Sequence, residues 1–526
     1  MVHRLIIAVF LLPITYCLLP LSCSFAISSV NAPLDSWVYE ALEKLEMSGL
    51  IDSALSGTRP YSRLEVARLV GEAIRKREEL LPGKKPSGFG EEKLIPSLLE
   101  RFKSEFKVEL VESGILEGAR APTYFKPVDE LILKYAYQTD EPVVRPQGNP
   151  PTHTIYPIYN NDGIVYQKHN NFSAEVEGEA RLWNHFSLYY RPIFKAFEKE
   201  NANVELEKGY LKAEAINVEL EVGRDSLWWG PGRHGALLMT NNARPFDLIK
   251  LSNPQPFRLP LLGLFKFNIF LSKLDNEQPS IPHPLVYGLR LNFKPHPNFE
   301  VGLSQVAIFD GEGRTDLSFT DYLYILYSNR NSEGGKQDSN QEVAVDFSLR
   351  WPNMDKILPI ARSLKFYGEW GAEDTGYPPD KRAYLFGLSL NDLFLTGRLD
   401  LRLEYTNTSP ASVPQMWYTH QFYPPIFHER IFGHHVGSNA EDIFIRLTSY
   451  LSPILLLGFD FDVETQGHKD AAKTNSYRFG ADLDYQIRDW MEIKGRYIVE
   501  IFKDANSIAG GDNTHHLFGL EFRRRF

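Results

Sequence analysis

The chain has 526 residues, 57 of them Lys or Arg against 67 Asp or Glu, and a formal net charge of −10. That surplus of acid excludes nonspecific nucleic-acid binding, which needs cations to neutralise phosphate. Its two cysteines, Cys17 and Cys23, lie near the N-terminus, so the remainder carries no disulfide scaffold, thiolate metal site or cysteine nucleophile.

The first element reads as an export signal. Arg4 precedes an apolar run from Leu5 through Leu21, and Ser24-Phe25-Ala26 has the small-x-small form of a cleavage site. Residues 1–26 are therefore assigned as a signal peptide; Pro20 opposes a lipoprotein reading through Leu21-Ser22-Cys23. Cleavage removes both cysteines and leaves 56 basic against 67 acidic residues. No later stretch of 18 apolar residues exists, so no helix can span a bilayer, and a membrane location would demand a β-barrel.

From Asp35 to about Arg120 the apolar period is helical. Asp35 or Ser36 can cap a helix carrying Trp37, Leu42 and Leu45 that Gly49 ends. Ser62 and Glu65 have the spacing of a capping box before Val66, Leu69 and Val70. Leu94, Leu98, Phe102 and Phe106 predict a third helix. Residues 27–124 are thus expected to form a small helical bundle, placed in the periplasm. The string "WVYEALEKLEMSGLI...RPYSRLEVARLVGEAI" also resembles a surface-layer homology module, which implies a tether to cell-wall polymer. A single copy stands here, where such modules come in sets.

Beyond Phe125 the period becomes two. In "FSAEVEGEARL", Phe172, Ala174, Val176, Gly178, Ala180 and Leu182 alternate with Ser173, Glu175, Glu177, Glu179 and Arg181. The same alternation recurs at Leu399, Leu401, Leu403 and Tyr405 and at Tyr477, Phe479, Ala481, Leu483 and Tyr485. Many strands of about ten residues with this dyad are the signature of a transmembrane barrel. The fold class expected for 125–526 is an all-β, antiparallel barrel. The terminal "FGLEFRRRF" sets Phe518, Leu520, Phe522 and Phe526 on one face, which resembles the signal read by the outer-membrane barrel assembly machinery. Arg524 interrupts that face where a long side chain can snorkel.

Eighteen strands can be placed, from 129–138 to 515–526, including a weakly alternating one at 322–328, "YLYILYS". With the helical part in the periplasm, odd-numbered strands end at the cell exterior. The long connectors 226–264 and 409–440 follow the fifth and thirteenth strands and fall outside, while 310–321 becomes a long periplasmic turn.

The first connector contains "SLWWGPGRHGALLMTNNARPF", residues 226–246. Trp228 and Trp229 offer flat apolar faces with one polar edge, and Arg233, Asn241, Asn242 and Arg244 offer planar hydrogen-bonding groups. Sugars ask for that mixture, and a uronate carboxylate suits a bidentate Arg. The same loop could instead fold inward as a plug, and the two roles are compatible. The second connector concentrates His420, His428, His434 and His435 with Trp417, Tyr418, Tyr423 and Arg430. The histidine spacing matches no helical metal-ligand pair, and no Ser, His and acid group sits in a motif that prescribes a triad.

Both connectors carry a family resemblance. Trp229-Gly230-Pro231-Gly232, then Leu237-Leu238 and Asn241-Asn242-Ala243-Arg244-Pro245, with Glu404-Tyr405-Thr406, His420, Arg430 and Gly433-His434, resemble the Wzi-type capsule assembly proteins of Gram-negative outer membranes. The likeness extends from the Trp37 segment to Phe526. It implies an eighteen-stranded barrel with a periplasmic helical bundle, acting as a lectin that holds capsular polysaccharide. Pro410 to Gln415 and "FYPPIFHER" depart from the Tyr- and Gly-rich form of that loop, which touches the second connector's ligand contacts.

The expected function is therefore non-enzymatic binding of capsule, exopolysaccharide or O-antigen at the outer membrane. The expected contacts are Trp228, Trp229, Arg233, Asn241, Asn242 and Arg244, joined by His420, Arg430 and His434. No cofactor, metal or nucleic acid is expected; the partners are polysaccharide, outer-membrane lipid and the assembly machinery. A diffusion porin and a cell-wall tether remain as alternatives.

Overall fold

A strand of period two has one apolar and one polar face, and closing a sheet of such strands leaves no unpaired edge. The computed structural model describes residues 27–80, 91–145, 153–155, 158–199, 201–275, 281–327, 334–373, 381–409, 417–467, 473–504 and 511–526. The assigned signal peptide and Pro410–Gln415 lie outside the described residues. From Tyr124 onward, eighteen antiparallel strands form one closed barrel. The first (Tyr124–Gln138) pairs with the second (His169–Leu182) and with the last (Asn513–Arg525). The sixth is interrupted, Phe246–Ser252 and Phe257–Leu259 both pairing with the seventh, Gly263–Lys273.

The barrel is apolar outside and charged inside. Along the second strand Glu175, Glu177, Glu179 and Arg181 are buried toward the lumen while Phe172 and Leu182 face out. Leu211, Ile249, Trp370, Phe459, Phe479 and Phe518 continue the outer belt. Many of these inner charges are buried, and a buried charge is costly unless it is paired. Arg191 accordingly meets Asp35 at 3.1 Å, Glu207 at 3.1 Å and Glu177 at 3.5 Å. At the terminus Arg524 stacks on Trp490 and Phe526, so its charge leans along the outer face.

The helices are α1 (Val38–Met47), α2 (Arg63–Leu80), α3 (Glu91–Glu105) and α4 (Lys107–Glu112). The Ser36 hydroxyl accepts from the Val38 amide at 3.4 Å, and that of Ser62 accepts from Glu65 at 3.1 Å. Gly49, at φ +78°, ends α1, with the Leu50 amide reaching back to the Leu45 carbonyl. Trp37, Leu42, Leu45, Leu69, Val70 and Phe102 share one core.

This helical part seats in the barrel end that carries the short turns. Its Ser28 amide donates to the Asn184 carbonyl in one of those turns. Ion pairs with the wall follow at Lys44–Asp400 (2.7 Å), Arg101–Glu492 (2.6 Å), Glu46–Lys294 (3.1 Å) and Asp35–Arg523 (2.6 Å). Further along, Thr58–Arg59 crosses the lumen and pairs antiparallel with Trp228–Trp229.

Two strand assignments need correction. The segment at 322–328 is not a strand: Phe319–Tyr327 is a helix, α5. Its consecutive aromatic and aliphatic residues fit no two-sided sheet position. The compensating strand, Phe246–Ser252, lies inside the connector expected at 226–264, which therefore spans only 226–245. Phe246 and Leu248 point inward there while Ile249 and Leu251 point outward, so apolar residues occupy both faces and the alternation is hidden. The count of eighteen stands, but 310–338 moves to the opposite rim. The longer connectors 139–168, 226–245, 310–338 and 408–439 thus all emerge at one end, and short turns occupy the other.

Candidate functional site

A loop that enters a barrel must find acceptors for its backbone amides, because buried N–H groups left unpaired cost free energy. Three wall carboxylates supply them. Glu404 accepts from the amides of Arg233 (2.9 Å) and His234 (3.1 Å). Glu369 accepts from Leu237 (2.8 Å), and Glu373 from Tyr418 (2.7 Å). The connectors 226–245 and 408–439 are thereby hung from inward-facing glutamates of the strands around them.

Trp229 is 1% exposed and packs against Phe270 and over Gly288, where a Cβ would lie 2.7 Å from its ring. Trp228 donates its indole N–H to the Gly232 carbonyl at 3.1 Å, with the Arg59 guanidinium 5.5 Å from its ring. Gly230, at φ +133°, lets the chain turn against Glu369, into which a Cβ would project. Arg233 turns toward the helices and pairs with Glu43 at 3.0 Å. It lines a lumen cavity of about 570 Å³ shared by α1, the wall and connector 139–168.

The three connectors interlock. Asn241 donates to Asp162 at 3.3 Å, and Asn242 to the Ile431 carbonyl at 3.1 Å. Arg430, buried, donates to the carbonyls of Asn242 (3.3 Å) and Ile164 (2.9 Å) and to the Asn161 side chain (3.0 Å). One guanidinium therefore ties all three together, as its rigid fork of donors allows. Arg244 is the partly exposed member, paired with Glu205 at 3.0 Å.

The histidines separate. His420 accepts from the Tyr423 amide at 3.1 Å, and burial, reinforced by Lys381, pushes it down to about 4. His428 pairs with Asp275 at 2.7 Å. His434 sits 3.1 Å from the Thr406 hydroxyl and is held well below its ordinary range by burial and by His435 and His234. Burial also opposes charge on His234, yet Asp442 and Asp462, 3.3 and 3.4 Å away, raise it to about 10.

Of the nine expected contact residues, the fold gathers Trp228, Trp229, Asn241, Asn242, Arg430 and His434 into one buried mass. Arg244 borders it, Arg233 faces the cavity beneath, and His420 stands apart beside Asp338. Sequence reasoning missed connector 139–168, His234, and the carboxylates Glu369, Glu373, Asp442 and Asp462, and it carried Glu404 only within a family string, with no role. Their available signal was position: acids on the inward face of strand ends that adjoin long connectors.

Comparison with known proteins places this arrangement. The solved Escherichia coli Wzi, described as an outer membrane protein involved in group 1 capsule assembly and a carbohydrate-binding β-barrel, has a similar fold. The TM-score is 0.68 at 16% identity, covering 94% of this chain and 99% of that one. An uncharacterized 55.8 kDa protein of the Klebsiella pneumoniae cps region is 26% identical over 261 residues. That match spans 48% of this chain and under half, 46%, of that relative. The family described as capsule assembly protein Wzi matches residues 151–517. With that match running through the interlocked connectors and most of the barrel wall, the chain belongs to the Wzi family of capsule assembly proteins.

Proposed function

We propose that the protein is an outer-membrane barrel that holds capsular or related surface polysaccharide at its connector end, with the helical domain in the periplasm. The observation that carries this reading is the interlocking of connectors 139–168, 226–245 and 408–439 through Arg430 and the asparagine pair. A mouth filled by hydrogen-bonded loops is a poor conduit and a good platform, because its surface groups stay pre-organised for a ligand. Family membership and the carbohydrate binding described for the solved relative support it. The outer apolar belt suits lipid, and the last strand, ending at the exposed Phe526, suits recognition by the assembly machinery.

Within this reading the contact residues divide by depth. Trp228, Trp229, Asn241, Asn242, Arg430 and His434 hold the platform from below, with Arg233 fixing its underside and His420 its flank. Arg244 is placed to meet a sugar carboxylate directly. The test is binding of surface polysaccharide from the native host to folded barrel. Saturable binding is expected, at least tenfold weaker in Arg244→Ala and in Trp229→Ala. Wild-type affinity in both variants would remove this assignment, and no binding by wild type would remove the lectin reading. A planar-bilayer recording is expected to give no steady conductance; a stable open pore would favour the porin.

A further inference from the structure

Where the connectors meet the wall, His234 of connector 226–245 and His435 of connector 408–439 face Asp442 of the fourteenth strand and Asp462 of the fifteenth. All four are buried, and donor atoms of His234, His435 and Asp462 lie within 4.8 Å of one another. Asp442 shares a second such triad with His435 and His434, and Glu464, 3.5 Å from His435, borders the cluster. His234 Nε2 lies 3.3 Å from Asp442 and 3.4 Å from Asp462, and His435 Nε2 lies 3.5 Å from Asp442. Bonds of zinc to nitrogen and oxygen near 2.0–2.1 Å set the edge of a ligand tetrahedron at roughly 3.3–3.4 Å. The observed spacings match that edge.

Two further observations point to a cation. Asp442 is 1% exposed, and among the described residues neither of its oxygens accepts a hydrogen bond. Its ion-pair neighbours there are three imidazoles, those of His234, His434 and His435. Asp462 accepts a hydrogen bond on one oxygen, from the Tyr159 hydroxyl, while its other oxygen accepts none among the described residues. Arg478, 3.7 Å from Asp462, is shared with Glu500 at 3.1 Å. The imidazoles are also fixed in place. His435 stacks on Tyr159 at 3.6 Å, His234 stacks on Phe444 at 3.7 Å, and the Tyr159 hydroxyl donates to Asp462. Rings locked by packing meet the main requirement of a preorganised site.

We propose that His234, His435, Asp442 and Asp462 form a structural site for a divalent transition metal of the zinc class. Two nitrogen and two oxygen donors suit that borderline cation. Bound there, it would staple two connectors to the barrel wall, with Tyr159 of the third packed over it. Nothing in the proposal depends on polysaccharide binding.

The experiment uses the full folded barrel, stripped with chelator and titrated with Co²⁺, whose tetrahedral N/O complexes absorb in the visible. A band saturating at one equivalent and displaced by Zn²⁺ is expected, with affinity at least 100-fold weaker in Asp442→Asn and His435→Gln. The surface variant Asp247→Asn serves as control, and heat-modifiable gel migration reports folding. No stoichiometric binding by folded wild type overturns the site whatever the variants do. A band that persists unchanged in both folded variants puts the metal elsewhere and overturns it equally.

Discussion

The helical domain meets its end of the barrel mainly through charged side chains, with Glu300 also taking the Ser56 and Gly57 amides. The connectors, by contrast, meet theirs mainly through backbone amides and aromatic packing, with ion pairs at His234 and Arg244. Asp35, Lys44, Glu46 and Arg101 each reach an oppositely charged wall residue. At the opposite end Glu404, Glu369 and Glu373 receive main-chain N–H groups, and Trp229 and Trp417 are buried among the loops. Ion pairs join two elements that each have a hydrophobic cluster of their own. Amide acceptors do something else: they let an irregular loop exist in a dry interior at all.

The strongest way to break that contrast is to remove an amide acceptor. Glu404 serves the Arg233 and His234 amides and the Tyr367 hydroxyl. Glu404→Ala strands three donors at about 1–3 kcal/mol apiece, so a loss of about 4 kcal/mol is expected. Proteolysis of connector 226–245 in folded barrel reads this directly, and undiminished protection would mean that packing alone holds the loop.

Acid tests the other end. Burial opposes ionisation of Glu46, yet Lys365, Lys294 and Arg350 outweigh it and hold its carboxyl at about 2, against an ordinary 4.5. Because the folded value is the lower one, this contribution is complete above about pH 4.5 and is lost as pH falls toward 2. It amounts to about 3 kcal/mol at most. Hydrogen exchange of α1 should accelerate across that window, with connector amides followed in the same run. An α1 still protected at pH 2 would assign its seating to the apolar core.

A smaller effect is expected from Gly230→Ala, which adds a Cβ at φ +133° against Glu369. Strain of that kind costs about 2 kcal/mol and should lower the thermal midpoint while leaving α1 exchange unchanged. The least effect belongs to Arg224→Ala. Its pair with Asp247 is solvent-exposed, and such pairs contribute below about 1 kcal/mol. A larger loss would show that the outer rim is more rigid than its exposure implies.

The barrel was legible because lipid outside and water or charge inside impose a strict dyad, and any residue on the wrong face is costly. The failures fall where that rule relaxes. Phe246 and Leu248 face a lumen already filled by connector residues, so an apolar inward face is tolerated and the sixth strand was hidden. In α5, Phe319, Leu323 and Tyr324 lie exposed on a connector, where the barrel's dyad imposes no pattern. For the site, Trp228, Trp229, Asn241, Asn242 and Arg430 were visible as unusual residues in long connectors, but their depth was not.

The sequence by itself determined the strand periodicity, the helical cap at Ser62, and the family strings around Trp229 and Asn241. Each is a local pattern whose physical cause lies within a few residues. The count of eighteen strands held only because a false strand at 322–328 offset the missed one at Phe246–Ser252. Only the tertiary structure decided that Thr58–Arg59 reaches Trp228–Trp229, that Arg430 binds three connectors, and that His234 meets His435, Asp442 and Asp462. Those contacts join residues as far as 269 positions apart, from Asn161 to Arg430. Barrel closure, with the connectors folding back into the lumen, brings them together, and no local pattern encodes that distance.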